Sequence, residues 1–220
     1  MKTCQSRLLI SLYKVENKKE KIADFKTAIS STVRSLSNSE KIEVSFGNDS
    51  SKSEKNSIRL PELSPINNRL NYNQIRAIAD SKSLRHRFSN PKTFKQYEPE
   101  GNISKQLYRI SEKIRCEKIG TSYFQRTQQF KGVKSNIETF YQERISGLDL
   151  KSSEDKIVES FENYLRTKFL NFENNSQIDK KLKSYKKDLN EKFKDKINQL
   201  NDFTLDQQKS LITSTKIKIK

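Results

Sequence analysis

Tryptophan is absent from this 220-residue chain, and histidine, cysteine, proline and glycine are scarce, with one, two, four and five of each. Each scarcity excludes something. Cys4 and Cys116 are too few and too far apart for a disulfide framework or a thiolate metal site. Cys116, beside Arg115, reads as a packed helix cysteine. The one histidine, His86, has no second ligand a helical turn away, and a zinc site takes three or four protein ligands. It reads as a solvated side chain between Arg85 and Arg87. The scattered glycines form neither a phosphate-cradling loop nor a dinucleotide fingerprint. No run approaches the ~20 apolar residues of a membrane span, so no membrane partner is expected. Leu8 to Tyr13 is short, interrupted by Ser11 and followed by charge, which argues against a secretory leader and makes the cytoplasm the expected location.

Acidic side chains are also outnumbered, 27 against 44 basic ones, for a net charge of +17. Such an excess suits a polyanion partner. The basic residues are nevertheless dispersed and interleaved with acidic ones, a pattern of solvated helix faces. Apolar residues make up only 32% of the chain. Leu, Ile, Val and Phe still reach about a quarter of it, above the level of a disordered composition (~20%). A thin core is expected.

Periodicity supplies the elements. Ile22, Phe25, Ile29, Val33 and Leu36 fall three and four apart, predicting a helix over Glu16 to Leu36. Lys41 to Phe46 switches to alternation, and Ile58 with Leu60 resumes it before Pro61. With Gly47-Asn48-Asp49 as turn chemistry, this predicts one short β-hairpin over about 41–60. Pro61 to Asn68 reads as a loop. Helical spacing returns over Leu70 to Phe88, from Asn102 to at least Ile119, and over Val133 to Ile145. Gly147 to Ser153 reads as a joint. Two further stripes follow it, Ile157 to Phe169 and Leu182 to Leu200. Lys216 to Lys220 is expected to fray. The fold class is mostly α, a multi-helix bundle-like domain with one short β-hairpin and C-terminal helices. The expected division is residues 1–147 and a helical segment over 148–220. Most aromatics fall on the stripes and read as core. No nucleophile, acid–base pair or ligand cluster emerges, so no catalytic, metal or nucleotide site is assigned.

Several ordered segments resemble the CobT family, a subunit of aerobic cobaltochelatase. Glu43 to Asp49, including Phe46, Gly47 and Asp49, and then Arg59-Leu60-Pro61-Glu62-Leu63 are similar to its opening. Ile75-Arg76-Ala77-Ile78-Ala79-Asp80-Ser81, Leu84-Arg85 and Arg87 resemble its arginine-rich helix. Tyr97 to Gly101 resembles its Pro-x-Gly break. Glu112, Arg115, Glu117, Ile119 and Gly120 resemble a further helix, and Gly132-Val133 with Asn136-Ile137 the start of the next. The likeness covers roughly residues 20 to 140. Thr121 to Lys131 is longer than the family pattern, and beyond Gly147 only helical spacing remains.

The resemblance implies a non-catalytic assembly or regulatory role in the ATP-dependent enzyme that inserts cobalt into hydrogenobyrinic acid a,c-diamide during cobalamin biosynthesis, a ligase forming nitrogen–metal bonds. It implies a CobS-type AAA+ ATPase and a CobN-type large chelatase subunit as partners, with cobalt and ATP–Mg used by the complex and no cofactor held by this chain. Family members continue into an acidic linker and a von Willebrand A-type domain, neither expected within these residues. The linker of a longer CobT is a further candidate partner for the basic charge. Phe46, Gly47, Asp49, Leu60, Pro61, Arg76, Asp80, Ser81, Arg85, Arg115, Glu117, Gly120 and Gly132 are the implied docking or structural residues. A basic helical nucleic-acid-binding protein is the competing reading.

Overall fold

The structure is a computed structural model, which describes residues 2–47, 56–63, 65–66, 69–147, 152–173 and 176–217. Helices dominate, as the spacing predicts. The chain forms two compact units, Met1–Ala79 and Asp80–Lys220. The joint read at Gly147 lies within the second.

In the first unit, α1 (Lys2–Ser37) is longer than the stripe that announced it. Asn38, at φ 53°, ends it in the left-handed conformation, and the Ser39 amide donates to the Arg34 carbonyl (3.1 Å). Strands β1 (Glu43–Phe46) and β2 (Ser57–Leu60) follow. Val44 and Phe46 alternate inward from β1, as Ile58 and Leu60 do from β2. Together with Ile29, Val33, Ile42, Ile75 and Ala79 they close one apolar core.

The strands are where they were expected, but they do not form a hairpin. They pair in parallel, Val44 opposite Ile58 and Phe46 opposite Leu60. Alternation decides which face of a strand is buried and is silent about direction. A tight turn forces an antiparallel return, whereas the ten residues over 47–56 leave direction to packing. Most of the expected turn, Asn48 and Asp49 included, lies outside the described residues. The segment read as a loop holds a small antiparallel pairing of β3 (Pro65–Ile66) with β4 (Arg69–Leu70). Leu70 is therefore a strand residue, and α2 starts at Tyr72 and runs to Phe88.

The second unit takes in the later part of α2, then α3 (Pro91–Gln96), α4 (Asn102–Thr127), α5 (Val133–Ser146), α6 (Ser153–Leu170), α7 (Ser176–Asp202) and α8 (Gln207–Thr215). Helix α4 is its axis, with α6 and α8 packed on it and α7 against both of those. Leu107, Ile114, Phe161, Leu165, Leu182 and Ile197 are fully buried along these contacts.

Two helices were not expected. Asn90-Pro91 read as a break. It is also a start: Asn90 Oδ1 accepts from the Lys92 and Thr93 amides, and Pro91 occupies the first turn, where its missing N–H costs nothing. Helix α8 buries Ser210, Leu211, Thr213 and Ser214, a face too polar to register as an apolar stripe. Ile217 is buried as well, so at least that residue of the C-terminal stretch does not fray. Among the described residues, no helix is long and apolar enough to cross a membrane.

Candidate functional site

The polar residues singled out from sequence converge, with partners, on α4. Two buried networks emerge from it on different faces. On one, Glu117 is fully buried and Arg166 of α6 is 2% exposed, with Nη1 2.7 Å from Glu117 Oε2. Arg166 Nη2 also pairs with Glu162 one turn back on α6 (2.8 Å). Glu162 further pairs with Arg144 of α5 (2.9 Å), and Arg144 makes a two-pronged contact to Glu159 (2.7 and 3.0 Å). Lys113 reaches Glu162 from one turn before Glu117 (3.6 Å). Three carboxylates thus face three cations and the cluster is neutral, which an apolar interior requires. Tyr141 and Phe172 lie 4.8 and 5.6 Å from the Arg166 guanidinium and seal it from water.

The α2 motif joins this face. Ser81 Oγ donates to Glu117 Oε1 (2.5 Å). Asp80, one residue earlier, accepts from Asn136 of α5 (2.8 Å). Gly120 lets α2 come close: a β-carbon there would stand 2.2 Å from Leu84 Cδ2.

On the other face Arg115 grips Glu112 with two nitrogens (2.8 and 2.9 Å). The same guanidinium donates to the carbonyls of Phe88, ending α2, and Thr204, after α7 (2.6 and 3.0 Å). Gln207, opening α8, donates to Glu112 (2.9 Å). Carbonyls left open at helix ends are thereby satisfied by one buried cation.

The remaining sequence-picked residues lie elsewhere. Arg85 stacks over Phe94 (4.7 Å). Gly132 precedes α5, and its carbonyl accepts from the Asn136 amide (2.9 Å). In the first unit Phe46 packs on the core and Leu60 lies within it. Gly47, at φ 107°, donates its amide to the Leu60 carbonyl (3.0 Å). Pro61 follows β2, Arg76 is exposed on α2, and Asp49 is outside the described residues. The sequence reading missed Arg144, Glu159, Glu162, Arg166 and Gln207. The available signal was Glu162 and Arg166 one turn apart beside the Val158, Phe161, Leu165 stripe, where a solvated face was not expected.

The ionisation states suit a scaffold rather than acid–base chemistry. Burial pushes the Cys116 thiol far up, beyond nucleophilic use. Burial likewise raises the Tyr108 and Tyr141 phenols. His86 is half-buried rather than solvated. Its Nδ1 is sealed without a partner among the described residues, and burial lowers its pKa. No group of three or more metal-ligating side chains occurs among the described residues. Burial alone would neutralise Glu162, but Arg166, Lys113 and Arg144 outweigh it and hold the carboxyl down to about 2.

That depressed value carries a pH signature. A carboxylate whose pKa falls on folding contributes stability that is present above its unfolded value and lost as pH falls through the folded one. Here the window runs from 4.5 down to about 2. The unfolding free energy from urea titrations across it should fall on acidification by an amount on the order of 3 kcal/mol more than in Glu162→Gln. Parallel acid profiles for the two proteins would remove Glu162 from the account.

The model of one protein family, cobalamin biosynthesis protein CobT, matches residues 19–214. The match extends well past Gly147 and takes in both networks. No solved structure matches the chain.

Proposed function

Because the chain belongs to the CobT family of cobalamin biosynthesis proteins, we propose that it is a non-catalytic assembly and regulatory part of the ATP-dependent cobaltochelatase. In this reading a CobS-type AAA+ ATPase and a CobN-type large subunit are its partners, and cobalt is the substrate of the complex. The match over residues 19–214 carries the reading. Two features support it. The buried ion pairs join α4, α5 and α6, and hydrogen bonds from the same side chains add α2 and α8, which suits a part that presents a surface to other subunits. The net charge of +17 favours acidic partner surfaces.

The test is co-purification with the two chelatase subunits at near-physiological ionic strength, where the Debye length is ≈ 8 Å and diffuse attraction is screened. Retention of at least one subunit is expected. Arg76, exposed on α2, is a suitable site for charge reversal because its side chain lies outside the core. Arg76→Glu should weaken capture if this stretch docks. Loss of both subunits from the unaltered chain, in the same buffer, would end the reading.

A further inference from the structure

The corner between α4 and α5 carries a surface that the buried networks do not use. Gln128 (φ 59°) and Phe130 (φ 46°) both take the left-handed conformation, which a β-carbon penalises. The bend sets the Phe130 ring edge-on to Phe124, with centroids 5.0 Å apart. It also leaves Phe130 37% exposed. Beneath it lies a cavity of about 280 Å³, with Phe124, Phe130 and Val133 as its apolar lining and Lys131 and Lys134 among its other walls. Among the described residues, neither lysine pairs with a carboxylate.

We propose that this groove docks an acidic protein segment through one aromatic or branched aliphatic side chain, seated between Phe124, Phe130 and Val133, with flanking carboxylates on Lys131 and Lys134. The volume lies near the lower end for ligand pockets (~300 Å³). It suits a single apolar side chain rather than a run of bases. Stacking along a strand needs a succession of open ring faces, whereas Phe124 is 2% exposed. Unpaired cations beside an apolar slot complement a segment that combines carboxylates with one anchor. The inference concerns this corner alone and stands independently of the chelatase reading.

Fluorescence anisotropy on the full chain tests it, with a labelled peptide of Glu and Asp around one central phenylalanine. Three comparison probes are the same peptide with Ser for Phe, the Phe peptide with amides for carboxylates, and a single-stranded oligonucleotide. At near-physiological salt the anchored acidic peptide should bind roughly tenfold more tightly than either altered peptide. Lys131→Glu with Lys134→Glu should abolish the preference for carboxylates over amides. Phe130→Gly keeps the backbone at ease at positive φ and should weaken the anchored peptide while leaving the Ser peptide unchanged. Equal binding of the Phe and Ser peptides, indifference to these variants, or no binding at all would overturn the proposal. So would an oligonucleotide held more tightly than the peptide and released by the same lysine reversals.

Discussion

Replacing Arg166 by methionine should remove about 3–5 kcal/mol of folding stability, although the substitution conserves much of the side chain's volume. Methionine can keep the packing against Tyr141 and Phe172, since a thioether sits well on aromatic rings. What it cannot supply is charge. Glu117 would lose its 2.7 Å ion pair while remaining fully buried, and Glu162 would keep only Lys113 and Arg144. An uncompensated buried charge is the costly state; a buried pair, by contrast, is worth little net of desolvation. The magnitude should therefore depend on what is left behind. Adding Glu117→Gln to Arg166→Met removes the stranded charge, so the double variant should be clearly less destabilised than the sum of the two single ones. Urea unfolding of all four proteins measures this. A loss below about 1 kcal/mol for Arg166→Met would mean that packing, not charge, holds α6 to α4.

Partners of this kind explain why part of the molecule was readable in advance and part was not. Apolar spacing located α4, α5, α6 and α7, because each buries one stripe against a neighbour. It located β1 and β2 as well, and failed only on their direction, which alternation does not encode. Helix α8 buries hydroxyls and so left no periodic trace. For the candidate site the asymmetry is sharper. Glu112, Arg115, Glu117 and Gly120 stood out through the family likeness, and all four sit where α4 meets its neighbours. Their mates on α6 and α8 did not. A buried arginine and a solvated one look alike in one sequence, and the pairing of Glu117 with Arg166 spans 49 positions. Charge compensation between helices is settled by tertiary packing, so of the Glu117–Arg166 pair only the α4 half was legible.

Gly120→Ala should destabilise the protein by about 1–3 kcal/mol, and here the sign itself is informative. In an open helical position the same change is favourable by roughly 1 kcal/mol, because glycine is the poorer helix former. At Gly120 the added carbon would meet Leu84 Cδ2 at 2.2 Å, Cδ1 at 2.9 Å and Cγ at 3.0 Å, the first two closer than side-chain carbons approach. Leu84 is the tip of a flexible side chain, but it is fully buried, so it cannot swing aside into solvent. Either its rotamer is forced into neighbouring core or α2 shifts from α4. A shift would also stretch the Ser81 to Glu117 hydrogen bond, which spans the same contact (2.5 Å). Shortening Leu84 should relieve the clash. Leu84→Ala alone is a cavity-forming change costing about 2–5 kcal/mol. The added methyl of Gly120→Ala would fill part of that cavity, so the double variant should be more stable than Leu84→Ala alone. Thermal and urea unfolding of the three variants decide the matter. Stabilisation by Gly120→Ala in the otherwise unaltered chain, or strict additivity with Leu84→Ala, would show that the two helices do not depend on this close approach.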